Sequence, residues 1–143
     1  EGEEKKIKEA IDYFNTDGLM ILKDGEIVYE NYWNKNKENS KHIIWSVSKS
    51  FLSALVGIAL DEGLIEDIND PIIKYLDDFK GTGYEGVSIK NLLQMSSGIK
   101  FNEDYGDPDS DINRYGRVTA TGTSQREFAK TLKNSREPGT YNH

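Results

Sequence analysis

Residues 45–60 decide the fold, and they read Trp45-Ser46-Val47-Ser48-Lys49-Ser50 followed by F-L-S-A-L-V-G-I-A-L. Positions 51–60 are apolar at almost every residue, so this part predicts a helix that is buried on most sides. Ser46 and Lys49 lie three positions apart in its first turn, which places the two side chains on one face and within reach of each other. A hydroxyl beside an amine is the pair that a serine nucleophile with a lysine base requires.

A lysine that acts as a base must be neutral for much of the time. Its pKa therefore has to fall from about 10.4 toward 7, which desolvation and nearby positive charge can bring about. We expect a buried helix start to supply this environment, whereas a solvated loop would not. The N-terminus of the helix adds partial positive charge and backbone N–H groups near Ser46, and both can stabilise a developing oxyanion.

A second S-x-x-K pattern occurs at Ser97-Gly98-Ile99-Lys100. Gly98 looks like the stop signal of a preceding helix, so Ser97 would lie at the negative end of that helix, where an oxyanion gains nothing. We therefore interpret the second copy as structural. The first copy has an alternative explanation too, because Ser46 could be an ordinary helix cap and Lys49 a surface lysine.

The composition is typical of a soluble globular protein, with 36% hydrophobic and 30% charged residues in a chain of 143. That length is enough for one domain with a hydrophobic core. A net charge of −7 disfavours nucleic acid or an anionic membrane as a partner. No stretch of the sequence is long and apolar enough to span a membrane, and the composition is compatible with either a cytoplasmic or an extracytoplasmic location.

We expect no cofactor and no metal site. The chain has no cysteine, and its two histidines, His42 and His143, are isolated residues with surface or structural roles. The acidic residues 107–111 resemble the start of a calcium loop, but Ile112 stands where that loop needs glycine. Residues 81–86 match G-x-G-x-x-G, yet they follow a helix instead of a strand and are therefore expected to form a loop.

The chain is expected to be a single partial domain, residues 1–143, with two parts. Residues 1–33 predict a helix and a β-hairpin, whose turn is Asp24-Gly25 between two strand-like runs. Residues 34–143 predict a mostly helical part that carries the S-x-x-K helix. Within it, the polar residues 102–122 are expected to form a long loop, of the kind that often borders an active site.

The order of these parts resembles a known superfamily. After the hairpin and S-x-x-K come D-I-N-D-P-I-I-K-Y-L at 67–76, V-S-I-K-N-L-L-Q-M-S-S-G at 87–98 and E-P-G-T-Y-N at 137–142. These motifs are similar to the N-terminal part of the serine β-lactamases and penicillin-binding proteins, and most of all to the class C-like branch with esterases and 6-aminohexanoate-dimer hydrolases. The resemblance spans nearly the whole chain. It implies an α+β, β-lactamase/transpeptidase-like fold, present here as an N-terminal fragment with an incomplete sheet.

The resemblance also implies roles for the two residues of the first turn. Ser46 would be the acylated nucleophile, Lys49 its proton acceptor or shuttle, and the backbone N–H of Ser46 half of an oxyanion hole. The reaction would be acyl transfer from a small-molecule amide or ester through an acyl-enzyme. β-Lactam, D-peptide, ester and ω-amino-acid oligomer substrates all stay open, as does a non-catalytic penicillin-recognising sensor or binding module of the same fold.

Two elements of the superfamily are missing from this sequence. Its catalytic tyrosine would stand six residues after Pro138, one position beyond His143, so Tyr141 is not given that role. The K-T-G or H-x-G strand would lie further downstream. We therefore expect an N-terminal piece of a longer hydrolase, processed or trimmed ahead of Glu1, that requires the missing C-terminal half of the fold.

Overall fold

The computed structural model describes residues 4–141 and has an α+β architecture. The chain divides into two compact units, Glu1–Trp45 and Ser46–His143. In the described residues, the first unit contains a helix and a hairpin, and the second contains helices joined by turns. The elements are α1 Ile7–Tyr13, β1 Gly18–Lys23, β2 Glu26–Tyr32, α2 Ser48–Asp61, α3 Ile89–Leu93, α4 Asp111–Ala120 and α5 Gln125–Thr131, with 3₁₀ turns at Trp45–Val47, Ile72–Lys74 and Asp77–Phe79.

The first unit is built on the hairpin that the sequence predicts. Asp24 and Gly25 have φ values of 53° and 83°, which is the left-handed pair that a two-residue type I′ turn needs. The strands pair antiparallel, with Ile21 opposite Tyr29, and the register shifts once between Ile21 and Leu22. Over residues 4–141 the sheet has two strands, and most of their side chains are exposed. The sheet is therefore incomplete in this chain, as predicted.

The hydrophobic core of the second unit is small and lies around α5. Its centre is formed by Ile99, Phe128 and Leu132, which are 8%, 8% and 7% exposed. Partly buried side chains from α4 and from the segments beside α3 pack around this centre, namely Tyr84, Phe101, Tyr115 and Val118. Because so few side chains are fully enclosed, each of them carries a large share of the burial that stabilises this unit.

An ion-pair network joins the turn Asp77–Phe79 to α5. The Asp78 carboxylate accepts hydrogen bonds from the Arg126 guanidinium at 2.9 and 2.5 Å and from Lys130 Nζ at 3.2 Å. The Arg126 guanidinium holds the pKa of Asp78 at about 2, well below the usual value for aspartate. The carboxylate is therefore charged at neutral pH, where it can pair with both cations of α5.

The expectation of one long loop over residues 102–122 is wrong for its second half, which forms α4. Ser110 is 2% exposed, and its hydroxyl accepts from the backbone N–H of Asn113 as the N-cap of this helix. Tyr115 and Val118 then lie on the face that packs against the core. A short apolar stripe with a good cap outweighs the polar composition on which the loop prediction depended.

Helix α2 forms as predicted, but its predicted burial is wrong in this chain. The helix ends at Asp61, and Gly63, with a φ of 71°, provides the expected glycine stop. None of the helix residues is buried: Phe51 is 64% exposed, Leu55 61% and Ile58 53%. An uncovered apolar face of this kind marks an interaction surface, because water alone does not favour it.

Gly98 closes the turn after α3 against residues 135 and 136. Its φ is 76°, and its carbonyl accepts from the N–H groups of Ser135 and Arg136 at 2.9 and 3.2 Å. A Cβ at this position would lie 2.1 Å from the Arg136 carbonyl oxygen. The left-handed backbone and the close approach therefore both require glycine here.

We expect Gly98→Ala to lower the free energy of unfolding by more than about 2 kcal/mol, because the left-handed backbone alone costs about 1–2 kcal/mol and the Arg136 carbonyl must also move. Gly81→Ala is the matched control, since Gly81 has a φ of 75° and nothing within 4 Å of a built Cβ. Gly81→Ala should lower the free energy of unfolding only by the cost of the left-handed backbone, about 1–2 kcal/mol. Urea denaturation followed by circular dichroism measures both variants, and equal losses would contradict the role of the close approach.

The exposure of α2 predicts that Leu55→Gln changes the free energy of unfolding of the 143-residue chain by less than about 0.5 kcal/mol. Phe128→Ala is the buried counterpart, and it should lower the same quantity by about 3 kcal/mol or more. The same urea titration serves for this pair. A loss for Leu55→Gln as large as that for Phe128→Ala would mean that α2 is covered in this chain.

Candidate active site

Ser46 and Lys49 are in contact at the start of α2. Ser46 lies in the 3₁₀ turn Trp45–Val47, directly before the helix, and Lys49 lies in the first turn of the helix. The Lys49 Nζ atom is 2.7 Å from the Ser46 Oγ atom. The contact predicted from the spacing of the two residues is therefore present. At this distance a proton can pass directly between the hydroxyl and the amine.

A helix cap does not account for Ser46. The N-cap residue of α2 is Val47, and no side chain caps the helix there. The Ser46 hydroxyl interacts with the Lys49 amine instead. The cap explanation that the sequence left open for this serine is therefore removed, whereas Lys49 is exposed, as a surface lysine would be.

The residue before Ser46 has a strained backbone. Trp45 has a φ of 44°, in the left-handed region that bulky side chains rarely adopt. Such a conformation costs on the order of 1–3 kcal/mol and is found mainly at functional sites, where the surrounding structure maintains it. The sequence carries no signal for this strain, because the residue is neither a glycine nor an asparagine.

Helix α2 places a favourable electrostatic field at Ser46. The helix is 14 residues long, and its aligned peptide dipoles put partial positive charge at the N-terminal end. Its first turn contains no acidic residue that would neutralise this charge. Negative charge that develops on a carbonyl oxygen beside Ser46 would therefore be stabilised.

The dry pocket expected around the lysine is absent from residues 4–141, so this part of the expectation is wrong for the present chain. Ser46 and Lys49 are both exposed, and Phe51 in the next turn is 64% exposed. Water therefore reaches the amine, and the described residues do not supply the desolvation that a lysine base needs. The apolar residues at 51–60 indicate that another segment packs on this helix, but the sequence does not identify that segment.

The second S-x-x-K pattern lies in a different environment. The Ser97 hydroxyl accepts a hydrogen bond from the backbone N–H of Ile99 at 3.3 Å. The backbone N–H of Lys100 donates to the carbonyl oxygen of Lys133 at 2.9 Å. Both residues thus belong to the turn around Gly98, which agrees with the structural interpretation of this copy.

His42 is not isolated, contrary to the expectation from the sequence. Its Nε2 atom lies 3.1 Å from Asp17 Oδ2, and its Nδ1 atom lies 3.0 Å from the Ile43 carbonyl oxygen. The hydrogen bond to Asp17 raises the pKa of His42 above the usual value, and the same bond lowers the pKa of Asp17. No local pattern could have signalled this pair, because 25 residues separate its members.

No group of three or more histidine, cysteine, aspartate or glutamate side chains in residues 4–141 is arranged to hold a metal ion. In the same range, no helix is both long enough and apolar enough to cross a membrane. Tyr141, to which the sequence assigned no role, is 66% exposed at the end of this range. Asn142, the last residue of the E-P-G-T-Y-N motif, and His143 lie outside the described residues.

Sequence comparisons identify relatives of this chain. The family model described as Beta-lactamase matches residues 5–143. A curated 6-aminohexanoate-dimer hydrolase from Paenarthrobacter ureafaciens is 31% identical over 135 residues, which cover 90% of this chain and 34% of the relative. A curated beta-lactamase from Pseudomonas fluorescens is 31% identical over 87 residues, which cover 56% of this chain and 24% of the relative. The chain therefore spans about a third or less of the length of these two relatives.

A structural comparison agrees with the sequence comparisons. A solved structure of a candidate 6-aminohexanoate-dimer hydrolase from Bacillus anthracis superposes with a TM-score of 0.78 at 20% identity, and the match covers 99% of this chain and 40% of that one. The β-lactamase-like fold predicted from the sequence is thus confirmed. Since the family model matches nearly every residue from the N-terminal helix to the end, this chain belongs to the beta-lactamase family.

Proposed function

We propose that this chain carries the nucleophile of a serine hydrolase that acts on small amides or esters through an acyl-enzyme at Ser46. The observation that carries the proposal is the 2.7 Å contact between Lys49 Nζ and Ser46 Oγ, made at the N-terminus of a long helix. Membership of the beta-lactamase family supports it. The loss of the helix-cap explanation for Ser46 supports it as well.

The proposed reaction uses Ser46, Lys49 and the N-terminal end of α2. The Ser46 oxygen attacks the carbonyl carbon of the substrate while its proton passes to the Lys49 amine. The backbone N–H of Ser46 and the positive end of α2 stabilise the resulting oxyanion. The tetrahedral intermediate then expels the leaving amine or alcohol, which takes a proton from Lys49. Water hydrolyses the ester that remains on Ser46 and restores the free enzyme.

An amide of a linear amino acid oligomer is one substrate that fits this proposal. One relative is named as a hydrolase of the 6-aminohexanoate dimer and another as a beta-lactamase. Both names describe cleavage of an amide bond. The acyl transfer proposed here accounts for linear and cyclic amides alike, because the attacking hydroxyl and its base do not depend on the leaving group.

The site needs a cover that residues 4–141 do not provide. We propose that residues 1–33 and 34–143 form one partial domain, and that a further part of a longer chain covers α2 and extends the sheet. Three observations support this: the exposure of Phe51, Leu55 and Ile58, the two-stranded sheet of the described chain, and the 34% of the hydrolase relative that the match spans. Such a cover would exclude water from Lys49 and strengthen each electrostatic interaction at Ser46.

We expect Ser46→Ala to abolish covalent labelling of the full-length protein by a fluorophosphonate, because the attacking oxygen is removed. Lys49→Met should slow labelling by about 10²- to 10⁴-fold, the usual contribution of a general base. Intact-mass spectrometry over a time course measures both effects. Peptide mapping of the labelled wild-type protein should locate the adduct on Ser46.

The second S-x-x-K copy supplies the matched controls for this experiment. Ser97→Ala and Lys100→Met remove the same groups at the same spacing, and both should label at the wild-type rate. Labelling that persists in Ser46→Ala would refute the assignment of the nucleophile. A serine that is acylated by an ester substrate but never recovered over hours would show that the protein recognises substrates without hydrolysing them.

The proposed cover predicts that the 143-residue chain alone labels at Ser46 at least about 100-fold more slowly than the full-length protein, because general-base assistance of that size is lost when water reaches the amine. Adding the remainder of the protein as a separate polypeptide should restore part of the rate. The same mass-spectrometric time course measures it. Equal labelling rates for the short and long chains would contradict the need for a cover.

A further inference from the structure

The imidazole of His42 lies between two hydrogen-bond acceptors. Its Nε2 atom is 3.1 Å from a carboxylate oxygen of Asp17, and its Nδ1 atom is 3.0 Å from the carbonyl oxygen of Ile43. A backbone carbonyl and an ionised carboxylate can accept a hydrogen bond but cannot donate one. Both ring nitrogens must therefore carry a proton if both contacts are to be hydrogen bonds.

This arrangement selects one protonation state. A neutral imidazole has a single N–H group, so one of its two nitrogens would face an acceptor with a lone pair. The imidazolium ion has two N–H groups and satisfies Asp17 and Ile43 together. The carboxylate also stabilises the positive charge, and the pKa of His42 is raised for that reason. Proton loss from His42 thus removes one of the two contacts.

Asp17 takes part in a group of hydrogen bonds that join the segment before the hairpin to the segment after it. Its second carboxylate oxygen accepts from Asn34 Nδ2 at 3.2 Å, and its backbone carbonyl accepts from the N–H of Trp33 at 3.0 Å. The Asn34 side chain also reaches the carbonyl oxygen of Thr16 at 3.3 Å. Asp17, which directly precedes β1, is thus bound to the segment that follows β2 as well as to His42.

Other charged and titratable groups lie close to His42. Tyr32 from β2 and Lys37 and Glu38 from the following loop line the same surface cavity. Tyr32 donates a hydrogen bond to Glu30, which raises the pKa of the phenol to about 12, so Tyr32 stays neutral throughout the physiological range. Among the charged groups, Asp17 is the one whose hydrogen bond and charge raise the pKa of His42.

We propose that protonated His42 is a positioning residue that fastens the segment leading into Ser46 to the base of the hairpin, through Asp17 on one side and Ile43 on the other. Three residues stand between His42 and Ser46, and the last of them is the strained Trp45. A segment held at His42 has fewer conformations in which to present the serine. The effect on Ser46 chemistry rests on the function proposed above, whereas the fastening itself does not.

The pH range of the fastening follows from the two shifts. The pKa of His42 is raised, so its contribution is complete below about 6.5 and is lost as the pH rises through the folded value. The pKa of Asp17 is lowered from 3.8, so its contribution is complete above that value and is lost as the pH falls through the folded one. The segment is therefore held most firmly between pH 3.8 and about 6.5 and loosens as the pH rises through the folded pKa of His42.

A nuclear magnetic resonance titration of the full-length protein tests the fastening directly. The imidazole signal of His42 should titrate above the ordinary pKa of histidine, and Asp17→Asn should shift that titration to lower pH. Backbone amide signals of residues 43–45 should follow the same titration in the wild-type protein and lose it in His42→Gln. His143→Gln identifies the signal of the second histidine. Identical titration of His42 in the wild-type and Asp17→Asn proteins would overturn the proposal.

Kinetics of fluorophosphonate labelling test the effect on Ser46. A lysine base alone makes the labelling rate rise with pH. A decrease in the labelling rate at higher pH that follows the titration of His42 would therefore be specific to the loss of the His42 proton, and we call this decrease the falling limb of the pH profile. We expect His42→Gln to lose that limb and to label on the order of tenfold to a hundredfold more slowly at about pH 6, where His42 of the wild-type protein is protonated. His42→Arg keeps a cation opposite Asp17 and should retain the rate without the limb.

The two tests distinguish the proposals from each other. If Ser46 is not labelled at all but the amides of residues 43–45 still follow His42, the proposed function fails and the fastening stands. If labelling is normal and His42→Gln keeps both the rate and the pH profile of the wild-type protein, His42 does not position the serine. A rate loss in His42→Gln that His42→Arg does not restore would also overturn the role of the positive charge.

Discussion

The contact between Lys49 Nζ and Ser46 Oγ is the interaction on which the proposed chemistry of this chain depends. It arises because one helical turn brings the side chain at position i+3 to the face of position i. The contact therefore requires that α2 begins at Ser48 and that the 3₁₀ turn Trp45–Val47 places Ser46 beside its first turn. The absence of a side-chain cap at Val47 leaves the serine hydroxyl available for the lysine, and the 14-residue helix adds its positive end to the same place. The Ser46 hydroxyl, the Lys49 amine and the positive end of α2 thus lie together within one short stretch of the chain.

The second constraint is how far water is excluded from the Ser46–Lys49 contact. A lysine ammonium is stable in water, and a lysine amine is favoured only where water is excluded. In this chain Ser46 and Lys49 are exposed, and the apolar side chains of α2 are exposed as well. The geometry of the pair and its environment are therefore provided by different parts of the fold. This chain, which spans 34% of a hydrolase relative, therefore holds the Ser46–Lys49 contact while both side chains are exposed to water.

The segment before Ser46 is more constrained than its loop-like sequence suggests. Trp45 adopts a left-handed backbone, and His42 is held between Asp17 and Ile43. Strain of this kind persists only where neighbouring contacts maintain it. Hydrogen bonds that depend on an imidazolium ion add a dependence on pH to that support.

Local features could be read from the sequence because their causes are local. Asp24-Gly25 determines the hairpin, since both residues tolerate the positive φ of the turn, and the three-residue spacing of Ser46 and Lys49 determines their contact. The motifs at 67–76 and 87–98 further identified the family and thereby the fold, which the comparisons confirm. Only the tertiary structure decided that residues 111–120 form a helix, that His42 meets Asp17 across 25 residues, and that α2 is left uncovered. Each of these features depends on which segments, distant in sequence, pack against one another. The pattern of one segment indicates whether its face is apolar or charged, but it does not indicate which segment packs on that face.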